Sequence, residues 1–220
     1  MRHFVITIDG PAGTGKSTVA REVASRLGFV YLDTGALYRA AALAVDDAGG
    51  DIEDGESSAS VVKNAAIELT PEGVFVNGEN VTLRIRTPRI SALSSRIAVH
   101  APVREALLAL QRSFREKSSL VAEGRDTGSV VFPDADLKFY LDASPEERAR
   151  RRYEELLLKG SKASYEQVLK DQEERDRRDA TRDEAPLVIP QHAVVVDTTH
   201  LDIRGVTDKV MEKIGENLTD

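Results

Sequence analysis

Phe4-Val-Ile-Thr-Ile8 leads through Asp9 into Gly10-Pro-Ala-Gly-Thr-Gly-Lys-Ser17, and a segment of helical periodicity opens directly behind it. An apolar run, a glycine-rich loop and a helix in that order form the P-loop in its required setting, and few folds can accommodate it. The glycines let successive backbone N–H groups turn inward around phosphate oxygens. Lys16 brings a positive charge to the outer phosphates, the Ser17 hydroxyl suits magnesium, and the helix adds its positive N-terminal end. Gly10, Pro11, Ala12, Gly13, Thr14, Gly15, Lys16, Ser17 and Thr18 are therefore the candidate phosphate-binding residues, with Ser17 as the metal ligand.

Five short apolar runs read as buried parallel strands: residues 3–8, 29–32, 120–122, 137–141 and 193–196. Helical segments separate most of them. In the first, Val19, Ala20, Val23, Ala24 and Leu27 recur at helical spacing before Gly28. The alternation predicts an α/β protein, a three-layer P-loop fold with a five-stranded parallel sheet and ligands at the carboxyl ends of its strands. The phosphate loop, Asp33, Glu123 to Asp126 and Asp142 fall at those ends. Between Ile67 and Ile85, Val74-Phe-Val76, Asn77-Gly78 and Val81-Thr-Leu83 predict a small hairpin insertion. Residues 89–114 return to helix with a break near Pro102. Residues 145–158 and 165–182 predict two charged helices joined around Gly160, a helical lid able to cover a phosphate site. The 220 residues are expected to form one domain, with core segments 1–60, 88–144 and 183–220, the insertion at 61–87, and the lid and adjoining helix at 145–182.

A net charge of -7 argues against a general nucleic-acid binder, which carries a basic surface, although local arginine clusters can still bind small phosphorylated molecules. With no cysteine there is no disulfide framework, thiolate nucleophile or cysteine-zinc site. No apolar segment approaches the roughly 20 residues that span a bilayer, and the N-terminus leads straight into the strand feeding the loop. The expectation is a cytoplasmic protein with no membrane partner. The four histidines are scattered at no zinc-like spacing.

The chain lacks Asn-Lys-x-Asp, which weakens a GTPase reading, and lacks a Leu-Ser-Gly-Gly-Gln transporter signature. It has Arg39, Arg104, Arg125, Arg175 and Arg182 near predicted strand and helix ends. Phosphoryl transfer between nucleotides gathers many negative oxygens, so fixed cations are its main equipment, and arginine's planar fork binds phosphate through paired hydrogen bonds. Each arginine can equally be a solvated helix charge, above all in Glu173-Glu-Arg-Asp-Arg-Arg-Asp179, where acids can pair along the helix. Asp126 can likewise be the salt-bridge partner of a nearby arginine, and Asp9 and Asp33 can be magnesium-water ligands or turn caps.

Ile6 to Ser17, Leu32-Asp-Thr-Gly-Ala-Leu-Tyr-Arg39, Arg84-Ile-Arg-Thr87, Pro102 to Leu107, Glu123-Gly-Arg-Asp-Thr-Gly128, Val130-Val-Phe-Pro-Asp134, Phe139-Tyr-Leu-Asp-Ala143, Glu174 to Arg182 and Ala185-Pro-Leu187 together resemble the bacterial cytidylate kinases over nearly the whole chain. The resemblance implies transfer of the γ-phosphoryl group of ATP to CMP or dCMP, with Mg2+ accompanying ATP and a hairpin-containing insertion for the nucleoside monophosphate that either closes over it or braces the helix carrying Ser95. It assigns Arg39, Arg125 and Arg182 to the acceptor phosphate, and Ser95, Arg104 and Asp126 to cytosine. Arg175 and Asp179 fall on the ribose, with Thr34 and Tyr38 beside it. Lys16, Arg125, Asp126 and Arg182 become the catalytic set. Arg148, Arg151 and Arg152 lie in the lid with Arg150 beside them, and Arg151 is assigned to ATP although helix phase leaves the choice among the four open. The family pattern often has Ser where this chain has Thr34, which keeps the hydroxyl. A monomer is expected. Another acceptor, UMP or AMP, and a nucleotide-triggered binding protein are the competing readings.

Overall fold

The computed structural model describes residues 3–158 and 160–218. In chain order the elements are β1 (Val5–Asp9), α1 (Lys16–Leu27), β2 (Val30–Asp33), α2 (Thr34–Asp47), α3 (Gly55–Asn64), β3 (Ile67–Thr70), β4 (Gly73–Val76), β5 (Glu79–Asn80), α4 (Pro88–Ile97), α5 (Ala101–Lys117), β6 (Leu120–Gly124), β7 (Leu137–Asp142), α6 (Pro145–Leu158), α7 (Tyr165–Thr181), β8 (Val194–Asp197) and α8 (Ile203–Leu218). A 3-10 turn at Arg84–Arg86 precedes α4, and a π-helical turn at Thr127–Val131 follows β6. The chain sorts into two compact units, one built from residues up to Tyr31 and from Ser118 onward, the other Leu32–Lys117.

A five-stranded sheet runs in the order β2-β6-β1-β7-β8, with β1 parallel to both β6 and β7 and β7 parallel to β8. β1 is buried along its whole length, as expected for a parallel strand covered on both faces. Ile6, Ile8, Val121, Phe139 and Leu141 pack with Val19, Val23 and Ala24 of α1 and Val206, Val210 and Ile214 of α8. Each valine, leucine, isoleucine or phenylalanine side chain among them contributes about 1.5–3 kcal/mol on burial. Register then sets the chemistry: Asp9 lies opposite Gly124 on one side and Tyr140 on the other. The phosphate loop therefore emerges between the carboxyl ends of β6 and β7, the crevice in which open α/β sheets bind ligands. α6 packs on α7, and the rings of Tyr153 and Tyr165 meet edge to face at 6.1 Å.

In the second unit, α2 is buried on most of its surface, which its alanines at 40, 41, 42 and 44 permit, and it packs on α4 and α3. Asp33 caps α2 by accepting from the Ala36 N–H at 2.7 Å. Pro102 sits in the first turn of α5, where its missing N–H removes no helix bond, so the break lies at residues 98–100 before it. The hairpin differs from expectation in one arm. Asn77 and Gly78, both at positive φ, make the tight turn, but the returning strand is Glu79–Asn80 and not 81–83. Thr82 explains the shift: its hydroxyl accepts the Val74 N–H at 2.9 Å, a side chain taking the place of a ladder carbonyl, and the chain then coils into the 3-10 turn. A third strand, β3, pairs antiparallel with β4.

Candidate active site

Gly10 stands at φ +144°, and a Cβ there would come within 2.0 Å of the Leu141 carbonyl oxygen, so only glycine lets the loop leave β1 this close to β7. Gly15, at φ 87°, caps α1, whose first residue is Lys16. Lys16 is 5% exposed, and its Nζ donates to the Pro11 carbonyl at 2.6 Å within the loop. Burial, and next the Arg125 charge, lower its pKa from 10.5 to about 7, with Glu123 and Asp9 pulling the other way. The Ser17 hydroxyl donates to Glu123 Oε1 at 2.6 Å, and the Tyr31 hydroxyl reaches the same oxygen at 3.3 Å.

Beside the loop, at the end of β6, the structure gathers several of the charged residues that the sequence pattern singles out. Arg125 Nε donates to Asp179 Oδ2 of α7 at 2.9 Å. Burial alone would raise the Asp179 pKa, but Arg125 and Arg175 outweigh it and hold the carboxyl below its ordinary range, so the pair is ionised. Arg182 adds to the same effect. Its Nε donates to the Ala185 carbonyl at 2.7 Å, and its Nη2 lies 3.8 Å from Asp126 Oδ1, with both side chains buried. Lys16 feels both Arg125 and Arg175. Lys16, Arg125, Asp126, Arg175, Asp179 and Arg182 thus form one buried to half-buried neighbourhood.

The other candidate residues belong to the unit Leu32–Lys117. Thr34 and Tyr38 are buried on α2 and Ser95 is buried on α4. The Arg104 guanidinium lies 5.6 Å from the centroid of the Tyr38 ring, and its Nη1 donates to the Ala98 carbonyl at 3.3 Å. Arg39 Nη2 pairs with Asp33 at 3.0 Å, while its buried Nε makes no hydrogen bond among the described residues. Asp33 is a helix cap and arginine partner.

Of the arginines on α6, Arg148 reaches the phosphate loop. Its Nη1 donates to the Ala12 carbonyl at 3.2 Å and pairs with Asp176, and its Nε holds the Ala143 carbonyl at 3.0 Å. Arg151 pairs with Glu147 and donates to the Thr198 carbonyl at 2.6 Å, and Thr198 in turn donates to the Thr14 carbonyl at 3.3 Å. Arg150 and Arg152 bind glutamates of their own helix at the surface. A Cβ on Gly13 would meet Arg148 Cβ and Gln172 Nε2, each at 2.9 Å, so α6 and α7 lie directly against the loop. The contribution of Glu123 and the Gln172 and Asp176 contacts were not readable in the sequence. Only the position of Glu123 at a strand end hinted at it. Among the described residues no three His, Cys, Asp or Glu side chains group to hold a metal, and no helix is long and apolar enough to cross a membrane.

The profile of the cytidylate kinase family matches residues 6–216. The cytidylate kinase of Thermodesulfovibrio yellowstonii is 46% identical over 218 residues, covering 97% of this chain and 98% of that protein. That of Cupriavidus necator is 49% identical over 208 residues, covering 94% of each. Among solved structures, a shikimate kinase from Bacteroides thetaiotaomicron superposes with a TM-score of 0.51 at 11% identity, covering 96% of this chain and 98% of that one. A gluconokinase from Sinorhizobium meliloti gives 0.50 at 15% identity, covering 99% and 97%. At these identities the two structures speak to the fold alone.

Proposed function

The chain belongs to the cytidylate kinase family, and on that premise we propose that it transfers the γ-phosphoryl group of ATP directly to CMP or dCMP, forming ADP and CDP or dCDP. The observation that best supports this reading is the buried to half-buried neighbourhood of Lys16, Arg125, Asp126, Asp179 and Arg182 beside the phosphate loop. It combines cations for two sets of phosphate oxygens with carboxylates that can accept from a sugar and a base. Little covalent work is asked of the protein, because an acceptor phosphate oxygen attacks the γ-phosphorus and ADP leaves, with catalysis supplied by position and charge.

Residues 10–18 cradle the donor phosphates, and Lys16 becomes fully cationic against them. Arg151 serves the donor side through its bonds to the Thr198 turn, and Arg148 braces the same loop. Arg39, Arg125 and Arg182 take the acceptor phosphate, as the family motifs they match imply. Asp126, with Ser95 and Arg104, reads the base. Arg175 and Asp179 take the ribose, with Thr34 and Tyr38 beside it. Cytosine offers an amino donor to the Asp126 carboxylate, whereas uracil sets a carbonyl there, acceptor against acceptor, and the unpaired groups disfavour UMP. Ser17 and Glu123 present the hard oxygens that suit Mg2+, which binds nucleotide phosphates through few protein groups. When bound, the ion neutralises developing phosphoryl charge. The chain acts as a monomer on small molecules, not on nucleic acid, and works in the cytoplasm, where its nucleotide substrates lie. Its acidic net charge supports the choice of small substrates.

Coupled ADP release with Mg-ATP and CMP, dCMP, UMP, AMP or GMP tests the reaction, with Asp126→Ala run in the same panel. The expected result is strong preference for CMP and dCMP, and a narrowed CMP-to-UMP ratio in the variant. Preference for another acceptor would discard the base assignment, and no acceptor-dependent release would discard the kinase reading.

A further inference from the structure

Asp9, the last residue of β1, is 0% exposed, and neither the donor phosphates nor the acceptor chemistry derived above uses it. Both of its carboxylate oxygens are committed. Oδ1 accepts from the Thr127 N–H at 2.9 Å and the Thr127 hydroxyl at 2.7 Å, and Oδ2 accepts from the Gly128 N–H at 2.7 Å. All three donors belong to the two residues that follow Arg125 and Asp126. These two residues open the π-helical turn, closed by Val131 N–H to the Asp126 carbonyl at 3.2 Å and Phe132 N–H to the Thr127 carbonyl at 2.7 Å. Such turns are rare and frequently fall at functional sites.

The fit around this contact is tight. A Cβ on Gly128 would come within 2.6 Å of Thr7 Oγ1 and 3.2 Å of Asp9 Oδ2, so only glycine allows the segment to lie this close to β1. Burial of a carboxylate is costly, and here it raises the Asp9 pKa from 3.8 to about 6 against the pull of the three hydrogen bonds. A neutral residue would avoid that cost, but three convergent donors require an acceptor with two oxygens, and a carboxylate meets that demand.

We propose that Asp9 is a positioning residue that ties the strand feeding the phosphate loop to the segment carrying Arg125 and Asp126, and so fixes the acceptor-reading groups against the donor phosphates. The proposal rests on the acceptor roles given above to Arg125 and Asp126. It also gives Thr127 a task, as the hydroxyl through which the tie is made.

Thr127→Val tests it with shape kept and the Asp9 charge in place, because the backbone N–H of residue 127 still satisfies Oδ1. Steady-state KM and kcat for CMP and UMP are measured at saturating Mg-ATP, with ATP affinity measured separately by equilibrium titration and folding by thermal melt. The expected result is a rise of about tenfold in the CMP KM with a smaller CMP-to-UMP ratio, while ATP affinity stays within about twofold and Thr127→Ser restores the parent values. Asp9→Asn, which turns one acceptor into a donor facing an N–H, serves as the second variant and should move the same quantities further. A lowered melting temperature with CMP KM and acceptor ratio unchanged would reduce Asp9 to a structural anchor and overturn the proposal. Equal losses toward ATP and CMP would overturn it too. If the unmutated chain prefers another acceptor, the base assignment to Asp126 fails instead. The tie is then judged by the KM of that acceptor against ATP affinity.

Discussion

Lys16 shows how far one buried side chain can depart from its ordinary chemistry. With its pKa lowered from 10.5 to about 7 by burial and the Arg125 charge, it is largely neutral at pH 8 in the ligand-free chain. Nucleotide phosphates favour the charged form, so ATP binding at pH 8 is expected to take up most of a proton. Calorimetry in buffers of different ionisation enthalpy reads that uptake, and Lys16→Met should abolish it. The unfolded chain binds more protons than the folded one between pH 7 and 10.5, so this group's contribution to stability rises with pH across that window. The lysine and the glycines were legible from spacing alone, because a P-loop is a local motif of consecutive residues. Glu123 was not, since its importance comes from Ser17 and Tyr31, which lie far away in sequence and meet it only when β6 settles beside β1.

Among the elements, α6 and α7 meet the phosphate loop through one shared contact. Arg148 links the Ala143 and Ala12 carbonyls with Asp176, so the guanidinium fastens both helices to the phosphate loop. Arg148→Met keeps the aliphatic stem but leaves Asp176 without its cation. A loss of about 2–3 kcal/mol is expected, below the full value for a buried pair because Asp176 is one-fifth exposed. Urea denaturation measures it, and the KM for ATP should rise in parallel. The sequence predicted the two helices within a residue of their ends, because charge pattern and capping are local signals. Which arginine faces the loop was beyond it, as Arg148, Arg150, Arg151 and Arg152 are one contiguous patch until helix phase and packing separate them. The hairpin carries the same lesson: Asn77-Gly78 announced its turn, but Thr82 ended its second strand through a bond to Val74 that residue type does not encode.

For the whole molecule, Asp9 ties stability to pH. Its pKa is raised from 3.8 to about 6, so the folded chain binds more protons there than the unfolded chain, and the stabilisation present below pH 4 is lost as pH rises through 6. Relative to Asp9→Asn, the unmutated chain should lose up to about 3 kcal/mol between pH 4 and pH 7, read from urea midpoints of the two proteins. A constant difference across that range would mean that the carboxyl titrates normally. By itself the sequence determined the α/β class, the five strands, the phosphate loop and the family, because periodicity, turn residues and contiguous motifs are written in neighbouring positions. Only the tertiary structure decided that β1 runs between β6 and β7, that Asp9 holds Thr127 and Gly128, and that Arg125 meets Asp179. Those are pairings between residues dozens of positions apart, fixed by strand register and burial, and no local pattern specifies them.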